Sequence, residues 1–250
     1  MSKRILGVIT ARGGSKGIPG KNIKLFLGKP LIAHTVEVAL TSGVFDPAVG
    51  GAGRLILSTD DEKIAEVARK YGCVVPFLRP AEFAADNTPH IPVMQHAVSW
   101  LREKEGYEPD YVMILQPTSP LRQAFHIKEA VELIVKEGAD SLVSVSLVPK
   151  HFHPDWQFVK DDRQRIKIFT GTPLRNIVTR RQNLPDTFYK NGAIFLFKPE
   201  LLFKKEPSIY GEDTIAYPME EKYSINIDTP DEWRIAEEIA IKICKNLRRL

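Results

Sequence analysis

The sequence predicts an α/β protein built on a doubly wound, mostly parallel sheet, and three observations carry that expectation. From residue 5 to residue 147, short β-branched or aromatic runs alternate with segments of helical period. That rhythm belongs to a parallel sheet with helices on both faces. A glycine-rich cationic loop follows the first run directly, where open α/β sheets place their ligands. Between residues 148 and 189 the alternation stops, which marks an insert. The chain therefore divides into an α/β unit of residues 1–147 and 190–250 and an inserted subdomain of residues 148–189.

The opening stretch, KRILGVITARGGSKGIPGKN, sets the pattern. ILGVITA, residues 5–11, is a strand buried on both faces. Glycines then fall at Gly13, Gly14, Gly17 and Gly20, interleaved with Arg12, Ser15, Lys16 and Lys21. Glycine lets backbone N–H groups turn toward a ligand. A concave run of them binds anionic oxygens, with lysine and arginine neutralising the charge. The loop is thus a candidate triphosphate cradle. It is not a P-loop, because Ser15 stands five before Gly20 and Asn22 follows Lys21. It also lacks the glycine spacing of the dinucleotide fingerprint. A plain surface turn is the alternative, and it gives no reason for charge of one sign.

The elements follow in order. Pro30 opens a helix, LIAHTVEVAL, that ends near Gly43, with His34 packed or half-exposed on it. Residues 46–53 form a turn-rich connection, and RLILS, residues 54–58, is the second strand. Thr59 and Glu62 read as a capping box for a helix with Ile64, Ala65, Ala68 and Tyr71 on its apolar face. CVVPFL, residues 73–78, is a third strand, placed at a sheet edge by Pro76. Arg79 begins a polar loop and could reach an anion. A helix runs over residues 91–104 and a buried strand over residues 110–115. The latter ends in a Pro-stiffened turn whose Gln116, Thr118, Ser119 and Arg122 could read a base or a sugar hydroxyl, or cap the next helix. A helix at residues 124–137 and a strand at residues 141–147 complete the alternation.

Within the insert, residues 156–159 and 166–169 read as short antiparallel strands. A structureless loop this long is uncommon in a compact domain, so the insert reads as a protruding dimer contact with exposed apolar residues. His151 and His153 lack a carboxylate pattern for metal and read as surface histidines. NGAIFLF, residues 191–197, is a buried strand; YSINI, residues 223–227, is another and delivers Asp228 at its tip. Thr229, Pro230 and Glu232 then start a last helix, with Trp233, Ala236, Ala240, Ile243 and Leu247 on its apolar face and Lys245, Arg248 and Arg249 at its end. A triphosphate site usually carries Mg²⁺ on one or two carboxylates plus phosphate oxygens. Asp228 is the best candidate ligand; capping accounts for Asp60 and Asp61.

Composition bounds the function. A formal charge of +4 over 250 residues suits a small anionic substrate and does not argue for nucleic acid. Cys73 and Cys244 lie far apart without metal spacing, which fits a reducing, cytoplasmic setting. No apolar run approaches the ~20 residues of a membrane span, and no signal-peptide pattern precedes the first strand.

These residues resemble the acylneuraminate cytidylyltransferases, also called CMP-sialic acid synthetases, over essentially the whole chain. The specific parts are ARGGSKGIPGKN at residues 11–22, LQPTSPLR at 115–122, RRQNLP at 180–185, NGAI at 191–194 and INID at 225–228. The resemblance implies a nucleotide-diphospho-sugar transferase fold with a protruding dimerisation segment, and a homodimer. It implies that CTP and a nonulosonic acid give the CMP-sugar and pyrophosphate, with Mg²⁺ or Mn²⁺. It implies a nucleotide loop of Arg12, Ser15, Lys16, Lys21 and Asn22, a cytidine contact at Arg79, Gln116 near the sugar, and sugar-side Lys150 and Arg181. Many members carry Asp-x-Asp at the metal strand; here Asn226 precedes Asp228 by two. The octulosonate (KDO) enzymes, lacking Gly-Gly-Ser-Lys in the first loop, rank second. A guanylyl- or uridylyltransferase, a nucleotide-binding regulatory protein and a nucleic-acid-binding module are the other readings.

Overall fold

The structure, a computed structural model, describes residues 3–45, 53–85 and 88–247. Its frame is a six-stranded sheet in the order β10-β6-β9-β5-β1-β4. In chain order the elements are β1 (Ile5–Thr10), β2 (Leu25–Phe26), β3 (Lys29–Pro30), α1 (Leu31–Thr41), β4 (Arg54–Ser58), α2 (Glu62–Lys70), α3 (His90–Glu105), β5 (Tyr111–Leu115), α4 (Ala124–Glu137), β6 (Ser141–Leu147), β7 (Phe158–Lys160), β8 (Ile166–Ile168), β9 (Phe188–Phe197), β10 (Thr214–Pro218) and α5 (Pro230–Leu247). Strand β1 lies parallel to β4 and to β5, and β10 lies parallel to β6. Within this sheet β9 alone runs antiparallel to its neighbours, β5 and β6. The C-terminal ends of β1, β4 and β5 therefore share one edge with the N-terminal half of β9.

Strand alternation divides the core. Ile5, Ile9, Met113, Leu115, Ile194 and Leu196 face the layer that holds apolar residues of α1, α2 and α4. Leu6, Val8, Val112, Ile114, Phe195 and Phe197 face α3 and the 3₁₀ turn Pro199–Phe203. A third cluster joins Ile18, Phe26, Leu31, Leu121 and Ile227 to Trp233, Ala236 and Ala240 of α5.

Beside β9 the ladder breaks register between Val143 and Val145. Ser144 Oγ donates to Asn191 Oδ1 at 2.6 Å and accepts from Ile194 N at 2.8 Å. Asn191 Nδ2 donates to Ser146 Oγ and Ser224 Oγ, each at 3.1 Å. A buried network with its members satisfied rigidifies the place it occupies; here it pins the Asn191-Gly192 step at the sheet edge.

Several expectations need correction. Residues 73–78 make no strand: Val74 forms an isolated bridge to Ile56, and Pro76 has no N–H to extend it. Residues 223–227 are not a strand either. A 3₁₀ turn covers Glu221–Tyr223, after which Ile227 N donates to Thr118 O at 2.8 Å, so Asp228 hangs from the turn after β5 rather than from the sheet. The cap of α2 is Asp61, whose carboxylate accepts from Lys63 N and Ile64 N; Thr59 Oγ1 only accepts from Asp61 N. Strand β10 was not anticipated, and β9 begins at Phe188, inside the stretch read as insert. His153 is buried and caps a 3₁₀ turn instead of lying on the surface.

The remaining outline matches. The capping box at Thr229 and Glu232 is formed, with Glu232 Oε2 accepting from the N–H groups of both Asp228 and Thr229 at 2.8 Å. The connection at residues 46–52 and the side chains of Leu247, Arg248 and Arg249 lie outside the described residues. Among the described residues no helix is long and apolar enough to cross a membrane.

One buried histidine ties stability to pH. His126 Nδ1 accepts from Gln123 N at 3.0 Å and caps α4. Burial pushes its pKa down from 6.5 to about 4, and Glu129 opposes that push. The unfolded imidazole takes up a proton near 6.5, which the folded one resists, so its contribution is intact above pH 6.5 and lost as pH falls toward 4. The urea midpoint is expected to fall through that window, and His126→Asn to flatten the fall. Parallel curves for the two proteins would exclude His126 as the cause.

Candidate active site

A cavity of about 350 Å³ opens at the shared sheet edge. Eight of the α/β-unit residues singled out in the sequence line it: Arg12, Ser15, Lys16, Lys21, Asn22, Arg79, Gln116 and Asp228. Four of these are cationic and one is a carboxylate, a balance that attracts a polyanion.

The loop after β1 is held by packing as much as by hydrogen bonds. Its one large apolar residue, Ile18, is buried with Phe26, Ile227 and Trp233. Asn22 Nδ2 donates to Arg12 O at 3.0 Å and ties the loop's two ends together. Asp60 Oδ1 accepts from Gly13 N at 3.1 Å and lies 3.5 Å from the Arg79 guanidinium. Asp60 is thus a brace between two cationic walls, not a helix cap. Arg79 is buried; desolvation pulls its pKa below the ordinary guanidinium value, while Asp60 raises it.

Opposite the loop, Lys21 Nζ donates to Ile227 O and to Asp228 Oδ1, both at 2.8 Å. The Lys21 side chain is 12% exposed and that of Asp228 60%. A pair this open contributes ~1 kcal/mol at most to stability, so its significance lies in placing both charges on the cavity wall. Gly17 fits only as glycine, because a Cβ there would stand 2.2 Å from Asp228 O.

The same corner bears on a divalent cation. Asn226 Nδ2 donates to Asp228 Oδ2 at 2.5 Å, and Asn226 Oδ1 is buried with no hydrogen-bond partner. Among the described residues no three His, Cys, Asp or Glu side chains cluster as a metal cage. One carboxylate and an orphaned amide oxygen fit an ion such as Mg²⁺, which takes a few protein oxygens and completes its shell with phosphates and water.

A second cavity, of about 630 Å³, adjoins the first and shares His90 and Gln116 with it. Tyr189, Lys190, Gly192, Phe195, Tyr210 and Asn226 line it. Aromatic faces with a few convergent polar groups suit a hydroxylated organic ligand.

Three residues stand elsewhere than expected. Arg122 does not face a ligand: it is buried, donating to Ala193 O at 2.6 Å and Thr35 Oγ1 at 3.2 Å. Burial draws its pKa to about 9, which leaves it charged at neutral pH. Lys150 Nζ is engaged within the insert by Leu184 O, Pro185 O and Asp186 Oδ1. Arg181 is exposed there, and neither of the two lines either cavity of its own chain. Sequence reasoning missed His90, Tyr189, Lys190 and Tyr210. Only the Pro89-His90 step before a helix gave a local signal for any of them.

Fold and cleft together define a mostly parallel α/β protein with a cationic ligand site at the edge of its sheet. The chain belongs to the cytidylyltransferase family, whose model matches residues 6–240. It is 35% identical over 237 residues to the CMP-N,N'-diacetyllegionaminic acid synthase of Legionella pneumophila, covering 94% of this chain and 96% of that protein. It is 34% identical over 226 residues to the N-acylneuraminate cytidylyltransferase of Streptococcus agalactiae serotype III, covering 90% of this chain and 51% of the relative. The chain thus spans about half the length of the streptococcal relatives it matches. In fold it is similar to a CMP:2-keto-3-deoxy-manno-octonic acid synthetase solved with CTP, with TM-score 0.68 and 17% identity over 96% of this chain and 99% of that one.

The Gly17 contact makes a test. Gly17→Ala must push the loop off Asp228; overpacking of this kind costs ~1–3 kcal/mol. The urea midpoint of Gly17→Ala is expected to fall by the equivalent of that cost. An unchanged midpoint would mean that the loop yields without loss and does not need this contact.

Proposed function

We propose that the protein transfers a cytidylyl group from CTP to the anomeric hydroxyl of a nonulosonic, sialic-type acid and releases pyrophosphate. The observation that carries this is the convergence of the glycine loop, Arg79, Gln116 and Asp228 on one cavity, with a second cavity joined to it at Gln116. Relatives named for legionaminic, pseudaminic and acylneuraminic acids support the substrate class.

In this reading Arg12, Lys16 and Lys21 hold the β- and γ-phosphates and Ser15 and the loop N–H groups complete the cradle. Asn22 keeps the loop closed, and Arg79 reaches the cytidine side. Gln116 stands where the two substrates meet. The sugar oxygen bonds to the α-phosphorus as the α–β bridging P–O bond breaks, the hydroxyl proton is released, and pyrophosphate leaves. Positioning and charge stabilisation supply most of the acceleration. Asp228 and the Asn226 carbonyl would hold Mg²⁺ or Mn²⁺, which would supply neutralisation at the reacting phosphate.

The insert bears exposed Phe152, Phe158, Val159, Ile166, Phe169 and Leu174. We infer that this patch is a homodimer contact. Because Lys150 and Arg181 line neither cavity of their own chain, their service to the sugar would be rendered across that contact. A cytoplasmic setting is proposed from the two unpaired cysteines, of which Cys73 is buried with its thiol pushed up to about 12.

The test is pyrophosphate release from each of the four NTPs against a panel of acid sugars. CTP with a nonulosonic acid is expected to give turnover. GTP or UTP with a sugar phosphate would replace the reading, and CTP binding without turnover would favour a sensor. Lys21→Ala and Asp228→Ala, both folded, are expected to lose at least ~100-fold, the scale of one electrostatic stabiliser. Sedimentation velocity is expected to give a dimer, and Phe158→Asp with Phe169→Asp a monomer. A monomeric wild type at micromolar concentration would sink the dimer.

A further inference from the structure

Gln116 is placed at the junction of the two cavities, and the orientation of its amide decides what each cavity sees. Its Nε2 lies 2.9 Å from Nε2 of His90, the first residue of α3. An amide nitrogen can only donate, so the imidazole nitrogen that faces it must be the bare one. The carbonyl Oε1 is thereby turned the other way. A Cβ on Gly192, whose φ is +78°, would meet Gln116 Oε1 at 3.2 Å and Asn226 Oδ1 at 3.8 Å. Two amide oxygens thus face the space over Gly192 in the second cavity. Asn226 is fixed by its bond to Asp228 and leaves its own oxygen unpartnered.

The geometry points to His90 as a positioning residue: its unprotonated Nε2 holds Gln116 so that the carbonyl, and not the amino group, faces the sugar cavity. Resting on the functional reading above, this assigns that cavity an acceptor, Gln116 Oε1, for a donor group of the acid sugar, a hydroxyl or an acylamino N–H. A protonated His90 would donate instead. Gln116 would then have to turn its carbonyl to the imidazole and its NH₂ toward the sugar, and that acceptor would be lost. The surroundings oppose that protonation. Burial lowers the pKa of His90 below 6.5, and so do Lys190 on β9 and Arg79 across the nucleotide cavity. The ring of Phe195, 6.4 Å away, adds no charge. At neutral pH the amide is therefore locked, and release is confined to pH below 6.5.

Two measurements test this. In the ligand-free protein, ¹⁵N NMR of labelled histidines reports the tautomer without any turnover. His90 is expected as the Nδ1–H form; an Nε2–H form overturns the proposal whether or not the protein uses CTP. If the Nδ1–H form is found and no acid sugar is turned over, the functional reading fails and the His90–Gln116 pair stands. In kinetics, His90→Leu is expected to raise KM for the accepted acid sugar about tenfold more than KM for CTP, the scale of one misplaced hydrogen bond. His90→Asn, whose Oδ1 can accept from Gln116 but does not titrate, is expected to restore the sugar KM and keep it flat below pH 6.5 where that of the wild type rises. Equal rises of both KM values in His90→Leu, or a wild-type pH profile in His90→Asn, overturn it.

Discussion

The site depends on one close approach, that of the glycine loop to the segment ending in Asp228. Nothing in the sheet forces these two pieces together; the loop follows β1 and the segment precedes α5, and no ladder joins them. They meet because Ile18, Phe26 and Ile227 bury themselves against Trp233, Ala236 and Ala240 of α5. Gly17 lets the backbones touch. The hydrophobic contact supplies the stabilisation, at roughly 25 cal/mol per Å² of apolar surface removed from water. The Lys21–Asp228 pair then sits on top of it with its charges available. An ion pair this open adds little to stability, so the apolar cluster beneath carries the structural load.

Much of this was legible in the chain because it is local. Glycine spacing, one-sign charge and a preceding buried run mark the loop within twenty residues, and the Thr229–Glu232 box formed as its spacing requires. What failed was whatever tertiary contact decides. The 223–227 segment has strand composition, yet Ser224 Oγ donates to Glu220 O and Ile227 N to Thr118 O, so its polar groups find partners outside any ladder. Arg122 resembles a ligand-reading guanidinium in sequence, but a backbone carbonyl of β9 and Thr35 of α1 take it inward. Thr59 has the right spacing for a cap, and Asp61 two residues later has the better-placed oxygen.

The second cavity was illegible for a different reason. Its walls come from Pro89–Ile91, Gln116, Tyr189–Gly192 with Phe195, Ser208–Tyr210, Ser224–Asn226 and Glu232. No periodicity links these stretches. They converge because β9 runs against the direction of its neighbours and starts at the edge where the other strands end. The polar knot of Ser144, Asn191, Ser146 and Ser224 fixes that start. An antiparallel strand in a parallel sheet thus brings late-chain side chains to the early-chain glycine loop.

That division of labour bears on substrate choice. The first cavity draws three of its four cationic residues, Arg12, Lys16 and Lys21, from one contiguous loop, so much of its chemistry is read from a motif. The adjoining cavity is assembled from several separate stretches, and single replacements there alter shape without touching the loop. Discrimination between close sugar isosteres by apolar contact alone is worth only ~1–3 kcal/mol. A site that must leave a buried acceptor unpaired when the wrong sugar enters discriminates further. Gln116 Oε1, which faces the space over Gly192, is placed to be such an acceptor. On the proposed reading, the polar floor, rather than the aromatic walls, is where selection among nonulosonic acids gains its leverage.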